Sequence, residues 1–326
     1  MLRERLLGGL VILAVVGCTD DGQGELDFGE TTGDGDGDPT GDGDGDPTGD
    51  GDPTGDGDPT GDGDGDPTGD GDPTGDGDGD PSGDGDGDPS GDGDGDGDGD
   101  GDPGACPSNG VGGSVGLASI ASADYPNTPG TILVPQSYDP SEPMPMMVAL
   151  HGSGDTDENF VNLWANIAQS EGFIVLVPES LSGGASWNPG GDTPIIGALA
   201  DTVMAQWNVD TCRVYLTGYS AGAHYGYMLG LANATFFAAL GVQAGSLSYA
   251  EQGGIWPDLV ERKIAVDIHH GVNDPGVPFA HAQHARDQLE GAGHVVYFHS
   301  HDGGHEIGPG DPQQMWANIS THTVMD

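Results

Sequence analysis

Between Gly33 and Pro103 no apolar side chain occurs at all, whereas from residue 104 onward apolar residues recur in two alternating rhythms. Short apolar runs closed by Pro or Gly predict strands at Thr131–Val134, Met146–Leu150, Phe173–Val177, Arg213–Thr217, Ala238–Ala244, Ile264–His269 and His294–His299. Between them, spacings of three and four predict helices. One runs over about 157–171, with Phe160, Leu163, Trp164, Ile167 and Ala168 on a face and Gly172 as its stop. A second opens at Pro194 and carries Ile196, Leu199, Val203 and Trp207. Further helices are expected over 221–232, over 277–289, and from Asp311, read as the N-cap, onward. Phe173–Val177 is apolar on both faces, which suits the middle of a parallel sheet. Regular alternation of this kind predicts an α/β fold, a mainly parallel central sheet with helices on both faces.

Composition changes the picture for the front of the chain only. The 326 residues carry 55 acids against 6 bases, a formal net charge of −49, and 63 glycines. The stretch Gly33–Pro103 holds 27 Gly, 27 Asp, 9 Pro and 8 Ser or Thr and nothing else, so it cannot bury a core against its chain entropy. It reads as a disordered linker within 18–105, ahead of a folded domain at 106–326. A Gly-rich chain of this length spans roughly 45–50 Å on average. The alternation Asp34-Gly35-Asp36-Gly37-Asp38 resembles the start of a calcium loop, but Pro39 follows and no Glu closes it; weak divalent-cation association is the expectation. Residues 104–326 keep 22 acids and four bases, Arg213, Arg262, Lys263 and Arg286. That balance excludes nucleic acid and anionic lipid surfaces as partners of the domain.

The first 17 residues have Arg3 and Arg5 ahead of the apolar run Leu6–Val16, the pattern of an export signal. Val15-Val16-Gly17-Cys18 resembles a bacterial lipobox. The resemblance implies removal of residues 1–17, acylation of Cys18, and a protein held at the outer membrane or cell surface through that lipid.

Gly218-Tyr219-Ser220-Ala221-Gly222 is a G-x-S-x-G sequence between a predicted strand and a predicted helix. A serine hydroxyl there needs a base, and the base needs a carboxylate to orient it. In chain order Ser, acid, His, the loop after Ile264–His269 offers Asp274, and the loop after His294–His299 offers His305. Two backbone donors for an oxyanion are expected from Ala221 and, in the loop after Leu150, from Ser153, with Gly152 as second choice. Asp302 is a weaker rival for the acid, being too close in sequence to His305.

These residues resemble the α/β-hydrolases from about residue 130 to 322. Within that superfamily the chain is similar to the polyhydroxybutyrate depolymerase-like and feruloyl or acetyl-xylan esterase-like group. The resemblance is carried by Leu150-His-Gly-Ser-Gly154, Gly172–Pro178, Val209–Gly222, His270-Gly-Val-Asn-Asp274 with Val277-Pro278, and Gly304-His305. It implies a serine ester hydrolase acting outside the cytoplasm on an ester substrate through an acyl-enzyme, with no cofactor. The sequence departs from the group after His151-Gly152, where Ser153-Gly154-Asp155 stands in place of the usual Cys-Gly-Gly, and no cysteine–tryptophan pair is found beside Trp187. Both departures speak against a polyester substrate. A peptidase on the same fold, and a displayed binding module that no longer catalyses, are the alternatives.

The remaining candidates are weighed against blander roles. On a strand His299 and His301 would share a face, as two zinc ligands require, but His305 serves better as a base and the sequence is read as carrying no metal site. His281 and His284 are read as a solvated helix face, and His224 as helix surface or pocket wall. Tyr219, Trp187 and Tyr225 either line a pocket or pack around the serine turn. Cys106 and Cys212 either form a disulfide, which export permits, or stay as two buried thiols.

Overall fold

A computed structural model describes residues 106–326. Eight strands form one sheet: β1 (Gly116–Ile120), β2 (Gly130–Val134), β3 (Met144–Leu150), β4 (Ile174–Pro178), β5 (Val209–Tyr219), β6 (Ala239–Gln243), β7 (Ala265–Gly271) and β8 (Val296–His301). Their spatial order is β1-β2-β4-β3-β5-β6-β7-β8. β1 and β2 run antiparallel at one edge, and every pairing from β4 to β8 is parallel. Among the described residues five α-helices lie between strands, α1 (Asp157–Glu171), α2 (Pro189–Gln206), α3 (Ala221–Ala232), α4 (Ser248–Gln252) and α5 (Ala280–Gly291), and α6 (Asp311–Ile319) follows β8. Among the described residues no helix is long and apolar enough to cross a membrane.

The period-2 alternation of the strands divides the core into two layers. Val148 and Leu150 of β3 face the cluster that includes Ile196, Leu199 and Val203 of α2, Tyr225 of α3 and Leu289 of α5. Met147 and Ala149 face the other cluster, with Phe160 and Trp164 of α1 and Met315 and Trp316 of α6. Helices on both faces are what an all-parallel centre demands, because each strand is buried twice. The α/β class, the mainly parallel sheet and the two helical layers are therefore as the sequence predicts.

Local capping moves several boundaries. α2 starts at Pro189, not Pro194, because Asn188 accepts the N–H groups of Gly190 and Gly191 and Pro189 sits in the first turn, where its missing N–H is harmless. Pro194 is then inside the helix. α6 is preceded by Gly310 in the left-handed conformation, so Asp311 is a first-turn residue and not the N-cap; its carboxylate accepts the N–H of Gly308 instead. β1 and α4 carry no periodic pattern strong enough to predict.

Cys106 and Cys212 are joined by a disulfide with Cα atoms 5.4 Å apart. Backbone bonds from Thr211 to Cys106 and from Ser108 to Val209, 2.7 and 2.8 Å, zip the start of the domain along β5, near the end of that strand remote from Ser220. The leader 1–17, Cys18 and the Gly-Asp linker with its expected cation association lie outside the described residues.

Candidate active site

β5 delivers Ser220 at its carboxyl end and α3 begins with the next residue. Ser220 has φ 51° and ψ −115°, a left-handed conformation that a side-chain-bearing residue adopts only under constraint. Its N–H donates to Gln243 O at 2.9 Å, which ties the turn to β6. The flanking glycines are sterically required. A Cβ on Gly222 would lie 2.6 Å from the His151 carbonyl oxygen, and one on Gly218 would lie 2.8 Å from the Ala223 nitrogen. The serine can be presented this sharply only because backbone passes where side chains would be.

The structure brings Ser220, His305 and Asp274 together from three strand ends. Ser220 Oγ donates to His305 Nε2 at 2.8 Å, and His305 Nδ1 donates to Asp274 Oδ2 at 2.8 Å. Asp274 is buried, and its Oδ1 accepts the N–H groups of Gly276 and Val277, both at 2.8 Å. Burial pushes its carboxyl up. The hydrogen bond from His305 and those from Val277 and Gly276 outweigh that and hold it below the usual carboxylate range. Asp302 is exposed, and its carbonyl accepts from Asn273 at 2.7 Å. Tyr219 donates to the His305 carbonyl oxygen at 2.8 Å, a clamp on the histidine loop that spacing alone did not reveal.

Ala221 opens α3, so its N–H is among those a helix leaves without an internal acceptor. Gly152 approaches the serine turn closely enough that a Cβ there would lie 3.4 Å from Ser220 Cβ, and the exposed Ser153 follows it. This loop is braced from below. His151 is buried, with Nε2 3.5 Å from a Glu179 carboxylate oxygen, and its carbonyl accepts Trp187 Nε1 at 2.9 Å. Trp187 in turn stacks on Tyr225, ring centroids 5.6 Å apart. Both rings are buried, so of the two open roles they take packing behind the loop.

The histidines are more engaged than their sequence positions suggested. His281 Nδ1 lies 2.9 Å from Ser246 Oγ, and His284 Nε2 lies 2.9 Å from a Glu251 carboxylate oxygen, so this helix face is tied to α4 and its approach rather than merely solvated. His299 faces Asp267, and His301 faces Asp311, while His305 is committed to Ser220 and Asp274. His224 accepts the Ser246 N–H on Nδ1 at 2.8 Å, which orients it in the wall beside the serine turn.

Burial pushes the pKa of His224 down to about 4, against the Ser246 hydrogen bond, and positive charge on His305, His281 or His270 would oppose its own. The unfolded chain therefore takes up a proton near pH 6.5 that the folded chain refuses until about 4. The stability contribution is complete above pH 6.5 and lost as pH falls toward 4, by up to about 3 kcal/mol. Urea unfolding at a series of pH values is expected to show this decline, and His224→Asn to flatten it. Equal slopes for the two proteins would remove His224 as the cause.

The chain resembles known proteins both in sequence and in fold. Residues 131–263 match the family model described as Esterase PHB depolymerase. The chain is 27% identical over 233 residues to a probable feruloyl esterase C of Aspergillus terreus, covering 60% of this chain and 82% of that protein. It is 34% identical over 130 residues to acetylxylan esterase A of Emericella nidulans, covering 35% of this chain and 42% of that one. Among solved structures, a CE1 ferulic acid esterase from the anaerobic fungus Anaeromyces mucronatus superposes with a TM-score of 0.52 at 17% identity, covering 68% of this chain and 96% of that one, a likeness of fold. By sequence the chain is similar to hydrolases of carboxylic esters, and its fold is like that of the ferulic acid esterase.

Proposed function

We propose that this protein is an exported, lipid-anchored serine ester hydrolase. One observation carries the reading: an unbroken chain of 2.8 Å contacts from Ser220 Oγ through His305 to a buried Asp274, with the serine at the N-terminus of a helix. In this mechanism Ser220 attacks the ester carbonyl while His305 Nε2 takes its proton. Asp274 holds the imidazole with its proton on Nδ1 and stabilises the cation that forms. The N–H groups of Ala221 and Ser153 receive the oxyanion. His305 then protonates the leaving alcohol, and water releases the acyl group from Ser220 by the same route.

The names of the relatives support feruloyl esters or acetylated xylan as the substrate class. The acidic domain suits a neutral acyl group more than an anionic one. Residues 1–17 are then a leader, 18–105 a tether from the acylated Cys18, and 106–326 the catalytic unit. Full-length protein is to be tested on methyl ferulate, acetylated xylan, a short p-nitrophenyl ester and polyhydroxybutyrate. Turnover of the first three with little on the polyester is expected. Peptide anilides cleaved in place of esters would make it a peptidase; tight binding without any turnover would make it a binding module.

A further inference from the structure

On the sheet face covered by α6 lies a second cluster of polar side chains that ester hydrolysis does not use. Asp267 and His269 are two residues apart on β7 and so share a face. His299 is the neighbour of His269 across the parallel β7–β8 register. Asp267 is 0% exposed and His269 2%. His269 Nε2 is 3.1 Å and His299 Nε2 3.5 Å from the same Asp267 oxygen, Oδ1. Yet among the described residues that oxygen and both ring nitrogens of His269 make no hydrogen bond; they are near one another and misaligned. Buried polar atoms left this way are costly unless something else occupies their lone pairs.

We propose that Asp267 Oδ1, His269 Nε2 and His299 Nε2 bind one divalent transition-metal ion, with zinc the best match. One donor atom from each of the three residues lies within 4.8 Å of the other two. Tetrahedral ligands held about 2.0–2.1 Å from a common ion are roughly 3.3–3.4 Å apart, which the observed 3.1 and 3.5 Å bracket. Two imidazoles and a carboxylate are donors zinc accepts and calcium does not favour. The supporting groups are also in place. Asn318 Nδ2 donates to Asp267 Oδ2 at 2.8 Å; its contact to His299 Nε2 at 3.1 Å shows that this nitrogen carries no proton, and it is the hydrogen bond that the ion would replace. His269 Nδ1 lies 3.1 Å from Asp311 Oδ1, out of line for a hydrogen bond as it stands; a small turn of the ring onto the ion would complete the carboxylate–histidine pair that steadies a metal-bound imidazole. The His299 side chain is 28% exposed, which provides a way in and room for a water as fourth ligand. The ion would pin β7 to β8, and through Asp311 and Asn318 to α6, beneath the loops that carry Asp274 and His305. Its role is structural.

The test uses the untagged full chain, stripped with EDTA and titrated with zinc chloride by calorimetry, with thermal melting as a second readout. Neither readout depends on ester hydrolysis, so the failure of one reading does not decide the other. One high-affinity equivalent is expected, weakened at least about tenfold in His299→Ala and in Asp267→Asn. Zinc should raise the melting temperature of the parent and not of either variant. The acidic linker contributes the same weak background to all three proteins. Cobalt in place of zinc should add visible absorption of a tetrahedral centre to the parent only. Equal zinc binding by the parent and His299→Ala overturns the proposal. So does the absence of a stoichiometric site, in which case a proton shared by His269, Asp267 and Asp311 fills the cluster.

Discussion

Exchange of Ser220 for Ala is expected to lower ester turnover by about 10⁶-fold, and Asp274→Asn by about 10⁴-fold, with both proteins folded. The size of the first effect follows from chemistry. Without Oγ no acyl-enzyme forms, and what remains is the rate that bound water reaches against the Ala221 and Ser153 donors alone. The second effect is a matter of tautomer. Asp274 accepts from His305 Nδ1 at 2.8 Å, which keeps the Nε2 lone pair toward Ser220 Oγ. An amide at that position can donate to Nδ1 instead, which moves the ring proton to Nε2 and removes the base. The two backbone N–H groups go to Oδ1, so the amide keeps its oxygen there, preserves that turn and directs its NH2 at His305. Steady-state kinetics on a p-nitrophenyl ester, with circular dichroism as the folding control, checks both. An Asp274→Asn enzyme of near-normal turnover would direct attention to another acid.

Removing the disulfide is expected to have the largest effect on stability and almost none on chemistry. Cys106 and Cys212 close a loop of 106 residues of sequence separation, and the chain-entropy account assigns roughly 4.7 kcal/mol to a loop of about 100 residues. In a domain of this size that corresponds to a fall in melting temperature of about 10 °C or more. The bridge lies toward the start of β5 while Ser220 follows its last residue, so the catalytic geometry is not engaged. Cys212→Ser, or melting in reductant, should show the drop with kcat unchanged at low temperature. A melting temperature equal to the parent's would mean that the backbone bonds of Ser108 and Thr211 suffice to hold this segment.

Much of the site was legible because tight turns and buried strands leave local marks. Gly218 and Gly222 declare a position where only backbone fits, and the apolar run Phe173–Val177 declares a strand buried on both faces. The α2 start was misplaced because two prolines compete for it, and Asn188, immediately ahead of Pro189, supplies the cap. β1 was invisible because an edge strand with mostly exposed side chains needs no apolar alternation.

By itself the sequence determined the order of strands and helices, the acidic apolar-free front segment, and which serine, acid and histidine could act together. Those are local properties: periodicity, turn chemistry and chain order. Only the tertiary structure decided what depends on proximity between distant segments. It placed Tyr219 against the His305 carbonyl, set Trp187 and Glu179 behind the Ser153 loop, and joined Cys106 to Cys212. It also gathered Asp267, His269 and His299 under α6, since strand register and helix packing bring together residues whose spacing along the chain carries no sign of it.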